Sequence, residues 1–179
     1  MEFNYELKIP KDRIAVLIGK EGAVKEELEL LTGINIDIDS KEGDVKLKGE
    51  NSLNLYALKE VILGISRGFN PDIAQLLLKQ DYVLDIIPLL DYIKNKNHLE
   101  RIKGRVIGAK GKSRQTIESL TDTFISVYGK TIAIIGRSEN VVSAKQAVES
   151  LLQGSPHSNV YRFLEKNRVR LKQRELEDW

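Results

Sequence analysis

Two glycine pairs carry the chemistry that this chain's residue types most readily support. Gly19-Lys20-Glu21-Gly22 and Gly108-Ala109-Lys110-Gly111 share the pattern Gly-x-x-Gly, each preceded by an isoleucine, Ile18 or Ile107. Glycine permits a tight reversal between two helices and removes side chains that would hold a phosphate away from the main chain. The helix leaving such a turn points amide groups and the positive end of its dipole at whatever docks there. The chemistry implied is non-covalent binding of phosphate, with no bond made or broken.

Charge separates the two turns. From His98 to Thr116 six basic residues, Arg101, Lys103, Arg105, Lys110, Lys112 and Arg114, stand against Glu100 alone, a net of +5. The corresponding stretch from Ile9 to Glu27 sets Lys11, Arg13, Lys20 and Lys25 against Asp12, Glu21, Glu26 and Glu27, a net of 0. The second turn is therefore the stronger candidate for a polyanion. Its backbone from Gly108 through Ala109 and Lys110 to Gly111 would meet phosphates, with Lys103, Arg105, Lys110, Lys112 and Arg114 supplying charge. Ile107 and Ile125 would line an apolar groove beside it, between the first helix and the second strand. Gly19, Lys20, Glu21, Gly22, Lys11 and Arg13 form the weaker counterpart, because Glu21 sets a carboxylate where phosphate would arrive. That turn suits either weak polyanion binding or a platform for the other module and a protein partner.

The elements that must position these turns form a repeat. At the 89-residue offset from Gly19 to Gly108, Leu28 pairs with Ile117, Glu29 with Glu118, Leu31 with Leu120, Thr32 with Thr121, Ile36 with Ile125 and Ile38 with Val127. The offset then falls to 87, matching Val45, Leu47 and Gly49 to Ile132, Ile134 and Gly136. The step falls where a turn between strands belongs, Lys41-Glu42-Gly43 in one half and Gly129-Lys130 in the other. Period-two alternation predicts strands over Phe3 to Lys8, Ile34 to Ile38, Val45 to Leu47, Tyr82 to Ile87, Phe124 to Tyr128 and Thr131 to Ile135. Helical spacing predicts Asp12 to Ile18, a helix after each glycine pair, and long helices along Leu53–Ile65 and Val141–Leu152. Each half reads β-α-α-β-β-α. The divisions are 1–66, a connector 67–80 with Asn70 as helix cap before Pro71, 81–154, and a C-terminal helix 155–179.

In that last helix Arg162, Lys166, Arg170 and Arg174 recur every fourth residue, while Val160, Phe163, Leu164 and Leu171 supply an apolar side. Like charges at that spacing repel, so something acidic should meet them, either RNA or carboxylates of the module itself. His157 reads as a turn or capping residue.

Composition narrows the function classes. With 179 residues, 41% hydrophobic and 30% charged, and no apolar run long enough to span a bilayer, the chain reads as soluble and cytoplasmic. The absence of cysteine excludes thiolate nucleophiles and Cys-ligated metals, and two histidines give little basis for a metal centre or any cofactor. Gly111-Lys112-Ser113 looks like the end of a nucleotide-binding P-loop, but that motif needs glycine where Val106 stands. The expectation is a protein that is not an enzyme.

Two Gly-x-x-Gly turns in the same β-α-α-β-β-α context resemble the KH family in its type I arrangement, over residues 3–66 and 82–153. The resemblance implies an α+β fold of two tandem KH modules, each a three-stranded antiparallel sheet with three helices on one face. It also implies single-stranded RNA held by its backbone at the Gly-x-x-Gly loop. Arg105-Val106-Ile107-Gly108, the run Ile125 to Thr131 and the run Gly154 to Leu164 look more narrowly like the archaeal KH-domain ribosome-assembly factors that partner the Nob endonuclease, related to the Krr factors. That narrower resemblance implies binding near the 3′ end of small-subunit (16S) rRNA during subunit maturation. Its implied partners are the rRNA-processing endonuclease and the alpha subunit of translation initiation factor two. A KH-based protein adaptor, or a general RNA-processing or translation factor, is the alternative.

Overall fold

Alternating apolar and polar residues set the first sheet. In the computed structural model, which describes residues 1–179, β1 (Phe3–Lys8) is followed by α1 (Lys11–Ile18), α2 (Ala23–Thr32), β2 (Asn35–Asp39), β3 (Asp44–Gly49), α3 (Ser52–Ser66) and α4 (Pro71–Ala74). The strands pair antiparallel in the order β1-β3-β2, with Tyr5 opposite Leu47 and Leu47 opposite Ile36. Val45, Leu47 and Ile36 point into the core beneath Leu17, Leu28, Leu58 and Val61 of the helices. Lys46 and Lys48 alternate to the exposed face.

Caps fix where the helices begin. The Asn51 side chain accepts the N–H groups of Leu53 and Asn54 at the start of α3, and Asn70 accepts that of Asp72 before Pro71 starts α4. Phe69, Ala74 and Leu77 are then buried, and the segment 67–80 packs on α3. It therefore belongs to the first of two compact units, Met1–Tyr82 and Val83–Trp179.

The second unit repeats the order with β4 (Tyr82–Pro88) at its boundary, then α5 (Lys96–Ile107), α6 (Lys112–Thr121), β5 (Phe124–Tyr128), β6 (Thr131–Arg137), α7 (Ser138–Leu152) and α8 (His157–Glu177). Its sheet order is β4-β6-β5. With three helices on each sheet, this is the α+β architecture that the repeat predicts. The sheets differ in one respect. Ile132 and Ile134 of β6 enter the core, and Ala133 and Ile135, which alternate to the other side, are buried as well.

Residues 155–179 are part of the second unit. Val160 and Leu164 of α8 join the core cluster with Leu151, Leu152, Ile102 and Val106, and α8 lies on both α6 and α7.

Candidate nucleic-acid interface

The two glycine turns have one backbone shape. Gly19 has φ 76° and ψ 177°, Glu21 φ 54° and ψ 28°, and Gly22 φ 79° and ψ 8°. Gly108, Lys110 and Gly111 follow at 74° and 175°, 54° and 29°, and 74° and 11°. Each turn passes from one helix into the next through a single 3₁₀ turn, and no side chain caps α2 or α6. The first-turn amides of both helices thus lack the side-chain acceptor that usually occupies them.

The glycines of a pair do different work. A Cβ on Gly108 would stand 2.6 Å from Ser113 Cβ and 2.7 Å from its amide nitrogen, and a Cβ on Gly19 would crowd Val24 in the same way. The first glycine is therefore required by the chain's own helix-on-turn packing before any ligand arrives. On Gly111 the nearest atom would be Gln115 Nε2 at 4.0 Å, and on Gly22 it would be Glu26 Oε1 at 3.9 Å. The second glycine serves its left-handed backbone and leaves an open approach.

Side chains divide the second loop's cations into free and engaged. Lys110 and Lys112 are exposed at the turn, and Ala109 is exposed between the helices. Lys103 is largely covered and faces Glu100 at 3.6 Å. Arg105 is engaged more fully. Its Nε donates to the Leu151 carbonyl at 2.9 Å and its NH2 group to the Ser155 carbonyl at 2.6 Å, so it ties α5 to the end of α7. Arg13 does the same in the first module, donating to Ile65 O and Phe69 O, both at 2.8 Å. These arginines are 92 residues apart, three more than the repeat offset, so the same tether leaves the helix one turn closer to the loop in the second module. Lys11, at the start of α1, is exposed, and so are Lys20 and Glu21 in the turn.

Ile107 and Ile125, the expected groove residues, differ in burial. Ile125 is 3% exposed and its side chain belongs to the core, so it offers no apolar surface to a base. Ile107 is half-buried at the end of α5. The helix beside β5 is α6: Glu118 Oε2 accepts the Ile125 N–H at 3.1 Å, while Arg114 donates to Glu118 Oε1 at 2.7 Å and reaches the Ile125 carbonyl at 3.4 Å. In the first module Glu29 accepts the Ile36 N–H at 2.8 Å and pairs with Lys25 at 3.6 Å. β2 and β5 are edge strands, and this carboxylate satisfies an amide that has no strand partner. Its signal in the sequence is the Glu29 to Glu118 match, read there as repeat identity alone.

His157 is the first residue of α8, and its Nε2 lies 2.8 Å from the Arg105 carbonyl, fastening that helix to the last turn before Gly108. No group of three or more histidine, cysteine, aspartate or glutamate side chains is placed to hold a metal, and no helix is long and apolar enough to cross a membrane.

Comparison with known proteins falls on the same two segments. A KH domain family model matches residues 4–64, and a model for the second KH domain of PNO1 proteins, described as a eukaryotic type KH-domain of type I, matches residues 83–169. The chain is 46% identical over 177 residues to a KH domain-containing protein of Methanocaldococcus jannaschii, covering 97% of this chain and 78% of that one. It is 31% identical to RNA-binding protein pno1 of Dictyostelium discoideum, over 94% of this chain and 73% of the other. It also matches a chain in the crystal structure of the a/eIF2alpha-aDim2p-rRNA complex from Pyrococcus horikoshii. There the TM-score is 0.89 at 44% identity, covering 94% of this chain and 96% of that one.

Proposed function

The chain belongs to the KH family, in the PNO1 type of tandem-KH RNA-binding proteins, and on that premise we propose that it binds small-subunit rRNA near its 3′ end during subunit maturation. The observation that carries the reading is the second loop, where a Gly-x-x-Gly backbone opens onto uncapped amides of α6 with Lys110 and Lys112 exposed beside it. Backbone amides and two cations around an open turn suit phosphodiester groups, and KH loops hold about four nucleotides in this way.

The roles of individual residues follow. The main chain from Gly108 to Gly111 receives phosphates, with Lys110 and Lys112 as direct cations and Arg114 as a charge held over the edge of β5. Arg105 and Lys103 act through the position of α5. The first module, with Glu21 and Glu26 beside its loop, is poor ground for phosphate and supports protein contacts. Two partners fit this place in maturation: the endonuclease that trims the rRNA, and the alpha subunit of translation initiation factor two, whose archaeal form shares a complex with the similar aDim2p and rRNA. The protein works without catalysis of its own and without a cofactor, in the cytoplasm.

Crosslinking the protein to RNA in cells and sequencing the attached fragments tests the assignment. Sites concentrated at the 3′ end of small-subunit rRNA are expected. Crosslinks spread over messenger or transfer RNA would leave a KH protein of different purpose.

A further inference from the structure

The basic stripe of α8 is a charged surface outside both glycine loops. Between Arg162 and Arg174 there are six basic residues, Arg162, Lys166, Arg168, Arg170, Lys172 and Arg174, against Glu165 alone, a net of +5. That equals the net charge around the second loop, carried on 13 residues instead of 19. The sequence left two acidic partners open for this stripe, RNA or carboxylates of the module. The structure removes the second: Arg162, Lys166, Arg170 and Arg174 are all exposed, and none makes an ion pair.

The helix that carries them is not a loose tail. Val160 and Leu164 anchor it in the core, where cutting a buried aliphatic back to alanine costs about 2 to 5 kcal/mol. Its first residue, His157, is bonded to the Arg105 carbonyl, three residues before Gly108. The stripe's first cation stands five residues beyond that contact, about 7.5 Å along the helix axis, and the run from Arg162 to Arg174 covers about 18 Å. Four unpaired cations held in a row, on a helix whose first residue is fastened three residues before Gly108, repel one another unless a polyanion neutralises them.

We infer that α8 is a second RNA-binding surface, which takes the phosphates of nucleotides lying beyond the four or so held at the Gly108 loop. The inference rests on the RNA-binding reading above and extends it to a longer footprint. Eighteen ångströms of stripe faces about five phosphates at the roughly 3.4 Å rise of a stacked strand, so four neutralised phosphates is a consistent occupancy. The contact is with backbone and carries no base preference.

The test compares the full chain with a variant combining Arg162→Gln, Lys166→Gln, Arg170→Gln and Arg174→Gln, glutamine being close to lysine and arginine in helix preference. Two oligoribonucleotides copied from the 3′ end of small-subunit rRNA serve as ligands, one of about 6 and one of about 24 nucleotides, the shorter barely exceeding the loop's own footprint. The long RNA is expected to bind the variant at least about tenfold more weakly, with its log-log salt slope shallower by about 3, at about 0.7 per phosphate. The short RNA is expected to bind both proteins equally, which also reports an intact second module. Long-RNA affinity and slope unchanged in the variant would overturn the inference and leave an acidic protein segment as the occupant of α8. Equal losses for both lengths would overturn it too, placing the stripe's effect at the loop itself. If the unmodified chain bound neither RNA, the RNA-binding reading would fail and this inference with it.

Discussion

Glu21 and Lys110 stand at the same point of the two glycine turns, both with φ of 54° and both exposed, so the turns differ there in charge and not in shape. A carboxylate at that point faces phosphate with the wrong sign. Lys110→Glu should weaken binding of a short rRNA 3′-end oligonucleotide by about 1.5 to 3 kcal/mol, the value of a hydrogen bond to a charged group, or roughly 10- to 150-fold. Since glutamate already occupies this backbone in the first module, the thermal midpoint should stay within a few degrees. Fluorescence anisotropy with the labelled oligonucleotide reads the affinity, and an unchanged value would remove the second loop from the interface.

The glycines of the second loop should respond unequally to alanine. Gly111→Ala adds only the cost of a left-handed alanine, about 1 to 2 kcal/mol, because its Cβ would meet nothing closer than 4.0 Å. Gly108→Ala places a Cβ 2.6 Å from Ser113 Cβ, and its φ 74° with ψ 175° lies in a region that side chains scarcely enter, so it should cost about 3 kcal/mol or more. Urea denaturation of the two variants gives the order. Equal losses would mean that the close approach of Ser113 is relieved at little expense.

How far the chain was legible follows from what its repeat could carry. Strand alternation, the glycine pairs and Asn70 before Pro71 are local signals, and each element they predict is present within a few residues. The carbonyls that Arg105 meets were not legible, because sequence counts a charge but not what lies across the helix: Leu151 and Ser155 are 46 and 50 residues away. The surroundings of Ile125 were hidden for a related reason. Alternation assigns it a face, but only the sheet order shows that this face is core and that its backbone is an edge held by Glu118. The double burial of β6 is written in Ala133 and Ile135, where the first module has Lys46 and Lys48 in a charged strand, a contrast visible only when the two halves are compared residue by residue.

Arg105→Gln should act on stability and leave the RNA salt dependence alone. The guanidinium donates to two carbonyls at 2.9 and 2.6 Å from a half-buried position. Its loss should cost about 2 to 3 kcal/mol, less than twice the value of one charged hydrogen bond because water reaches the site. Binding measured where the variant remains folded should keep the parent's slope against log salt. A slope shallower by about 0.7 would instead make Arg105 a direct phosphate contact.

Glu118 offers the sharpest separation of fold from binding. It holds the Ile125 N–H at the edge of β5 and pairs with Arg114, so Glu118→Ala removes an acceptor from the strand and releases a cation beside the loop at once. The first effect should cost about 1 to 2 kcal/mol, in the range for a lost hydrogen bond at a site water can partly enter, and should speed hydrogen exchange at the Ile125 amide. The second effect has the opposite direction for function, because Arg114 without its carboxylate raises the positive potential over the groove and RNA should bind as tightly or more tightly. Glu29→Ala in the first module repeats the stability loss, since the Ile36 N–H loses its acceptor at 2.8 Å, but should leave binding of the short RNA unaltered. Native-state amide exchange and RNA titration on the two variants decide the matter. A large drop in RNA affinity for Glu118→Ala, with Ile125 exchange unchanged, would make this carboxylate a direct RNA contact instead of a clamp on the edge strand.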